Sequence, residues 1–246
     1  MRVVPALNGA TVAVLESRRS RELSELIRRL GGVPYAAPAV REVPRFENIP
    51  PLLDALTTGT LSTVIFQTGA GVNVLLREAE RLGRLDDTLA ALRTTIVACR
   101  GPKPAAALMR YEVPVHVKAV EPYTTTELLD ALSSHDVDWR RVGLIHYGEL
   151  NPALADAVRQ RGARVDEYVL YEWQLTEDLT ALTTLVRDLT NQRVDAIAFT
   201  SQVQCRHLFD VARTDGRAED LARALSEHTI VGAVGPVCAA ALRAHR

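Results

Sequence analysis

The chain has 246 residues, 47% of them hydrophobic, with a formal net charge of −1 and a pI near 6.6. That balance excludes a disordered or fibrous protein, gives no global attraction to nucleic acid or an anionic membrane, and leaves room for two domains with their own cores. No apolar run approaches the roughly 20 residues of a membrane span; the opening MRVVPALNGATVAV is too weakly apolar for a signal peptide, so a cytoplasmic location is expected.

Short apolar runs alternate with longer segments of helical period, the pattern of a parallel sheet flanked by helices. Strands are expected near 11–15, 33–37, 62–66, 95–98 and 115–118, and helices near 18–30, 49–57, 70–82, 102–110 and 124–133. Thr124 and Glu127 have the spacing of a capping box at the start of the last helix. The rhythm then begins again, with strands near 141–146, 164–171, 195–199 and 229–233 and helices near 151–161, 178–189, 202–213, 217–226 and 236–244. Two segments interrupt it: PAVREVP (38–44) and DEYVLYEW (166–173) read as extended connectors, each after the second strand of its half. If both cross over, residues 41–173 form one domain, and residues 1–40 plus 174–246 form the other.

The second round repeats the first. TIVACRGPKPAAAL, from Thr95, returns from Thr229 as TIVGAVGPVCAAAL, with nine of fourteen positions identical. Val64–Thr68 matches Ile197–Ser201, and the segment from Val12 to Gly32 matches the one from Val142 to Gly162 more loosely. A period of 130 to 134 residues means a duplicated half-protein, because solenoid and propeller repeats run roughly 20 to 50 residues. The expected fold is therefore α/β: two doubly wound parallel-sheet domains related by internal duplication and joined by two extended linkers. The first copy continues past its glycine turn into a further strand and helix. A complete second copy would do so too, so the chain is expected to be a fragment of a longer protein, its first domain lacking those elements.

Turns that lead from a strand end into a helix collect at Ser17 and Arg18, Thr68 to Gly71 (with Gly69), Gly101 to Lys103, Tyr147 to Asn151 (with Gly148), Thr200 and Ser201, and Gly235 to Cys238 (with Pro236 and Val237). In open α/β sheets these ends line the ligand crevice, and helix N-termini attract carboxylates and phosphates. Arg18, Arg19, Arg100 and Lys103 would add charge-assisted hydrogen bonds to an anionic ligand. Each turn taken alone is better read as ordinary helix capping or glycine-proline punctuation, and it is the six together that point to a crevice. Neither glycine turn matches a dinucleotide fingerprint or a P-loop, and no G-x-S-x-G elbow is present. Cys99, Cys205 and Cys238 lack metal or redox spacing and read as small buried hydrophobes. The histidines lack ligand spacing, so no metal is expected; His146, at a strand end, stands out among them, with a structural role favoured. On the second connector, Tyr168 and Tyr171 could point a protonated phenol at a ligand, or pack in a strand.

With the duplicated glycine turns, the FTS strand end and the tyrosine-bearing connector assembled, the chain resembles the uroporphyrinogen-III synthase family over nearly its whole length. The resemblance implies an active site in the cleft between two α/β domains. The implied reaction closes linear hydroxymethylbilane into uroporphyrinogen III, losing water and inverting the last pyrrole ring, with no metal or organic cofactor. It also implies a small-molecule polycarboxylate tetrapyrrole as partner, no membrane, and a monomer. Tyr171 matches the family's linker tyrosine and would help the hydroxyl leave; Thr200, Ser201 and Gly235 match strand-end positions that contact substrate. Pro104, and Val237 with Cys238, stand where relatives usually carry threonine. FQTGAG together with CRGPK looks like an actinobacterial branch in which a synthase-like module precedes a DNA-binding winged helix. On that branch the alternative is a noncatalytic tetrapyrrole-sensing domain of a transcription regulator, its DNA-binding part beyond residue 246.

Overall fold

Strands and helices alternate along the chain in a computed structural model that describes residues 6–17, 20–135, 137 and 139–245. The first half contains β1 (Thr11–Val14), α1 (Ser20–Arg29), β2 (Val33–Ala36), β3 (Arg41–Pro44), a 3-10 turn (Phe46–Asn48), α2 (Ile49–Thr57), β4 (Thr63–Phe66) and α3 (Gly69–Arg81). It continues through α4 (Leu85–Thr94), β5 (Ile96–Cys99), α5 (Pro102–Met109), β6 (Val117–Lys118) and α6 (Thr125–Ser133). The second half begins with β7 (Arg141–Ile145), α7 (Pro152–Arg159), β8 (Arg164–Tyr168), β9 (Tyr171–Gln174) and α8 (Thr180–Thr190). It ends with β10 (Ala196–Phe199), α9 (Gln202–Thr214), α10 (Ala218–Glu227), β11 (Ile230–Ala233) and α11 (Pro236–Arg243).

These elements form two compact units: unit 1 is Met1–Arg41 with Trp173–Arg246, and unit 2 is Glu42–Glu172. Among the described residues, unit 1 has a sheet of order β11-β10-β1-β2 and unit 2 one of order β6-β5-β4-β7-β8, parallel throughout. Each unit thus takes β1-β2 or β7-β8 from one copy of the repeat and β10-β11 or β4-β5 from the other. The repeats have exchanged halves. β1 pairs with β10 with Val12 opposite Ala196, and β7 pairs with β4 with Val142 opposite Thr63. The chain changes units within β3 and β9, which pair in a two-stranded sheet.

Burial follows position in the sheet. All four residues of β4 are buried, as expected for a strand with helices on both faces and neighbours on both sides. In unit 1, Leu15 and Phe199 pack with Leu182, Leu185 and Leu189 of α8 and Leu208 of α9. In unit 2, Ile65, Leu144 and Leu154 pack with Leu128 and Leu132 of α6. The capping box of α6 forms, with the Thr124 N–H donating to Glu127 Oε2 at 2.8 Å and the Thr126 N–H to Thr124 Oγ1 at 3.2 Å. Glu127 is held below the usual carboxylate range, first by the hydrogen bond it accepts from the Thr124 hydroxyl and then by the one from the Thr124 N–H.

Three expectations are corrected. The segment 164–171 is not one strand: pairing breaks at Val169 and Leu170, between β8 and β9, and the carbonyls of those two residues accept from the Asn48 side chain (2.8 Å) and the Arg45 N–H (2.9 Å). The connector 38–44 is extended as expected, but its end pairs as β3. A helix, α4, occupies 85–94, where none was expected, and it buries Leu89 and Leu92. No helix among the described residues is long and apolar enough to cross a membrane.

Candidate functional site

Strand order reverses between β7 and β4 in unit 2 and between β1 and β10 in unit 1; in doubly wound sheets such switch points open a crevice at the carboxyl ends of the strands. In unit 2 the residues just past those ends form a buried polar network. The Asn151 N–H and the Gln67 side-chain amide donate to His146 Nδ1 at 3.1 and 3.3 Å, so that nitrogen carries no proton. His146 is therefore the neutral Nε2–H tautomer, donating to Glu167 Oε2 at 2.9 Å. Burial holds the His146 pKa below its ordinary value, against the opposing pull of Glu167. Asn151 gives both amide hydrogens, to Gln67 Oε1 and Thr125 Oγ1 at 3.0 Å each, and its Oδ1 caps α7 by accepting from the Leu154 N–H at 3.2 Å. Glu167 also receives a short hydrogen bond from Arg159.

Beside this network stand the groups that chemistry could use. Thr68 caps α3, accepting from the Gly71 N–H at 3.1 Å, and its hydroxyl is 2.9 Å from the Tyr171 hydroxyl. Tyr171 is fully buried at the start of β9. The Arg100 guanidinium lies 4.9 Å from the centroid of the Tyr147 ring, and Nη1 donates a long 3.5 Å bond to Gln67 Oε1. Burial lowers the Arg100 pKa. The N-termini of α3 and α5 approach closely: a Cβ on Gly69 would come within 3.0 Å of the Lys103 carbonyl oxygen, so a larger residue would push the two helices apart. Gly148 follows β7 at φ +90°, a conformation that favours glycine.

Unit 1 repeats the geometry with different chemistry. Thr200, one residue past β10, donates a short hydrogen bond to Glu16, two residues past β1. The buried Gln204 joins them, accepting from the Thr200 N–H at 2.8 Å and donating to Thr200 Oγ1 at 2.9 Å. Ser201 caps α9, as Thr68 caps α3, at 3.4 Å from the Gln204 nitrogen. By the repeat, Glu16 takes the place of His146, Thr200 that of Gln67, and Val234 that of Arg100.

Among the expected residues, Thr68, Gly69, Arg100, Gly101, Lys103, Tyr147, Gly148 and Tyr171 belong to the strand-end region of unit 2, and Ser17, Thr200, Ser201, Gly235, Pro236 and Val237 to that of unit 1. Arg18 and Arg19 lie outside the described residues. Cys238 is buried, as its reading as a small hydrophobe expects, and is not open to a ligand at the turn: its Sγ lies 3.7 Å from the Phe199 carbonyl, because the third residue after the glycine faces inward. Pro104, its equivalent, is buried too. Both turn glycines are extended N-caps (φ −172° and −178°), a conformation open to any residue. Burial pushes the Cys99 and Cys205 thiols up to about 12, so both are inert at neutral pH. Sequence reasoning missed Gln67, Glu16 and Gln204. Tyr168, at the end of β8, has its pKa raised chiefly by burial.

Comparison with known proteins places this geometry in context. The family model described as "Uroporphyrinogen-III synthase HemD" matches residues 21–246. A Bacillus subtilis protein, "Uncharacterized protein YjjA", is 35% identical over 96% of this chain and 87% of its own length. The crystal structure of a mutant uroporphyrinogen III synthase from Thermus thermophilus superposes with a TM-score of 0.75 at 27% identity, covering 96% of this chain and 89% of that one. The wild-type enzyme from the same organism, in another crystal form, gives 0.60 at 29% identity with the same coverage.

Proposed function

Because the chain belongs to the uroporphyrinogen-III synthase family, we propose that it closes hydroxymethylbilane into uroporphyrinogen III with loss of water and inversion of the last pyrrole ring. The observation that carries this reading is the Tyr171–Thr68 hydroxyl pair, 2.9 Å apart at the carboxyl end of β4. In it the Thr68 hydroxyl orients Tyr171 Oη, and the phenolic O–H supplies the proton to the leaving group. The C–O bond of the terminal hydroxymethyl group breaks and the hydroxyl leaves as water with the phenolic proton. The electron-poor carbon is attacked by the substituted α-carbon of the last pyrrole, and the bond from that carbon to its own methylene bridge breaks. The freed methylene carbon bonds the ring's other α-carbon, and the proton lost there returns to the phenolate. A phenol is acid enough, because the pyrrole nitrogen's electrons push the hydroxyl out. The helix N-termini at Thr68 and Gly101 suit a ligand bearing eight carboxylates, and holding a flexible linear chain in its ring-closing shape supplies much of the acceleration.

The test uses freshly generated hydroxymethylbilane with separation of the product isomers. Type III uroporphyrinogen is expected, and Tyr171→Phe should lower kcat by about 100-fold with KM nearly unchanged. Formation of the type I isomer alone, at the spontaneous rate, by the folded full-length protein would overturn the proposal.

A further inference from the structure

Arg100 differs from the arginines that settle against carboxylates. Arg141 pairs with Asp166 at 2.6 Å, Arg81 with Glu78 at 2.6 Å and Arg187 with Asp215 at 3.0 Å. Those guanidinium groups are exposed enough for water to solvate them, and each still has a carboxylate. Arg100 is drawn in at the end of β5, its backbone N–H fixed to the Phe66 carbonyl at 3.0 Å. Among the described residues its guanidinium meets no carboxylate. It has a phenol ring face and one amide oxygen at 3.5 Å. A guanidinium has five N–H donors, and taking such a charge out of water without an anion is unfavourable.

The surroundings are built to hold the fork still. Gln67 Oε1 faces it because the other end of that amide is committed to His146 Nδ1, while Asn151 donates to the same oxygen. Arg100 is half-buried, and none of its nitrogens is both sealed from solvent and without a partner. The position is also specific to one copy of the repeat: its equivalent, Val234, is 73% exposed and uncharged. A residue needed only for the turn would have no reason to be cationic in one copy and aliphatic in the other.

We propose that Arg100 is the anion anchor of unit 2, pairing its guanidinium fork with one carboxylate of a polycarboxylate ligand while Gln67 and the Tyr147 ring hold it in place. This rests on the family reading for the identity of the ligand, but not for the anion site itself. In unit 1 the matching position offers an aliphatic side chain, Val234, and among the described residues the strand end there presents the Glu16 carboxylate beside Thr200.

The test compares wild type, Arg100→Met and Arg100→Gln as full-length proteins, with uroporphyrin as the octacarboxylate probe and citrate as a carboxylate probe without pyrroles. Arg100→Met should weaken uroporphyrin binding by about 30-fold or more, while the Tm of the ligand-free protein stays level or rises because an uncompensated charge is gone. A merely structural arginine would do the reverse, losing Tm and keeping affinity. If the methionine variant does not fold, Arg100→Gln decides: weakened binding supports the anchor and wild-type affinity overturns it. Wild-type affinity in a folded Arg100→Met protein likewise overturns the anchor and leaves the synthase reading standing. Citrate binding that depends on Arg100, with no uroporphyrin binding, keeps the anchor and sinks the tetrapyrrole reading. Binding of neither probe by wild type overturns both.

Discussion

The two glycine-proline segments share nine of fourteen residues and end in opposite circumstances. In unit 2, β5 lies between β4 and β6, and Val97, Ala98 and Cys99 are fully buried. In unit 1, β11 pairs with β10 alone among the described residues, and Ile230 and Val234 are 75% and 73% exposed. The faces differ to match. Behind β5, α6 brings Leu128 and Leu132 onto Ile65 and Leu144, whereas the corresponding face of unit 1 gathers Val12, Val14 and Ile27, flanked by partly buried Leu7 and Leu23. One apolar strand sequence is interior in one place and surface in the other, so its energetic role is set by its neighbours.

The sharpest way to break this comparison is to truncate a side chain on each face. Leu132→Ala should cost about 2–5 kcal/mol, the range for a fully buried leucine. Urea or guanidinium midpoints read by tryptophan fluorescence would show it. The two units need not unfold together, so the transition must be fitted for each. His146→Leu comes next, at about 1–3 kcal/mol, because the Asn151 N–H and the Glu167 carboxylate lose their partner. It also carries a pH signature. His146 is held neutral in the folded protein and titrates near 6.5 when unfolded, so below about pH 6.5 the unfolded chain binds the extra proton. Wild-type stability should fall as pH drops through that window, and the fall should be smaller in His146→Leu. Parallel pH profiles for the two proteins would show that the imidazole is not held neutral. Ile230→Ala should change stability by no more than about 0.5 kcal/mol. A loss at Ile230 equal to that at Leu132 would mean that β11 is covered in solution.

Much of the fold was legible because apolar runs and helical period alternate cleanly and the duplication marks equivalent places twice. The helix α4 was legible too, though unread: Leu85, Leu89 and Leu92 have helical spacing, and its repeat partner α10 was expected near 217–226. The split of β8 from β9 was not, since the residues alternate through Val169 and the break depends on Asn48 and Arg45, more than 120 residues away. Of the site, Thr68, Arg100, Tyr147 and Tyr171 could be found as polar or charged residues near strand ends. Gln67 and Asn151 meet across 84 residues and Glu16 and Thr200 across 184, distances over which composition and periodicity are silent. Cys238 carried two readings, turn contact and buried hydrophobe, because a turn motif does not say which of its residues faces inward.

The exchange of halves between the repeats also sets a timetable. Unit 2 is one continuous stretch, Glu42–Glu172, and can collapse as soon as it has left the ribosome. Unit 1 cannot: β1 hydrogen-bonds through Thr11 to Asp195, 184 residues later, so its first strand must wait for β10 to be synthesised. At about 5–20 residues per second, that wait is roughly 10–40 s. For that interval Val12, Val14 and Leu15 can pair only with β2 and lack β10 on their other side, and the newborn chain is most open to chaperones and to aggregation before unit 1 closes.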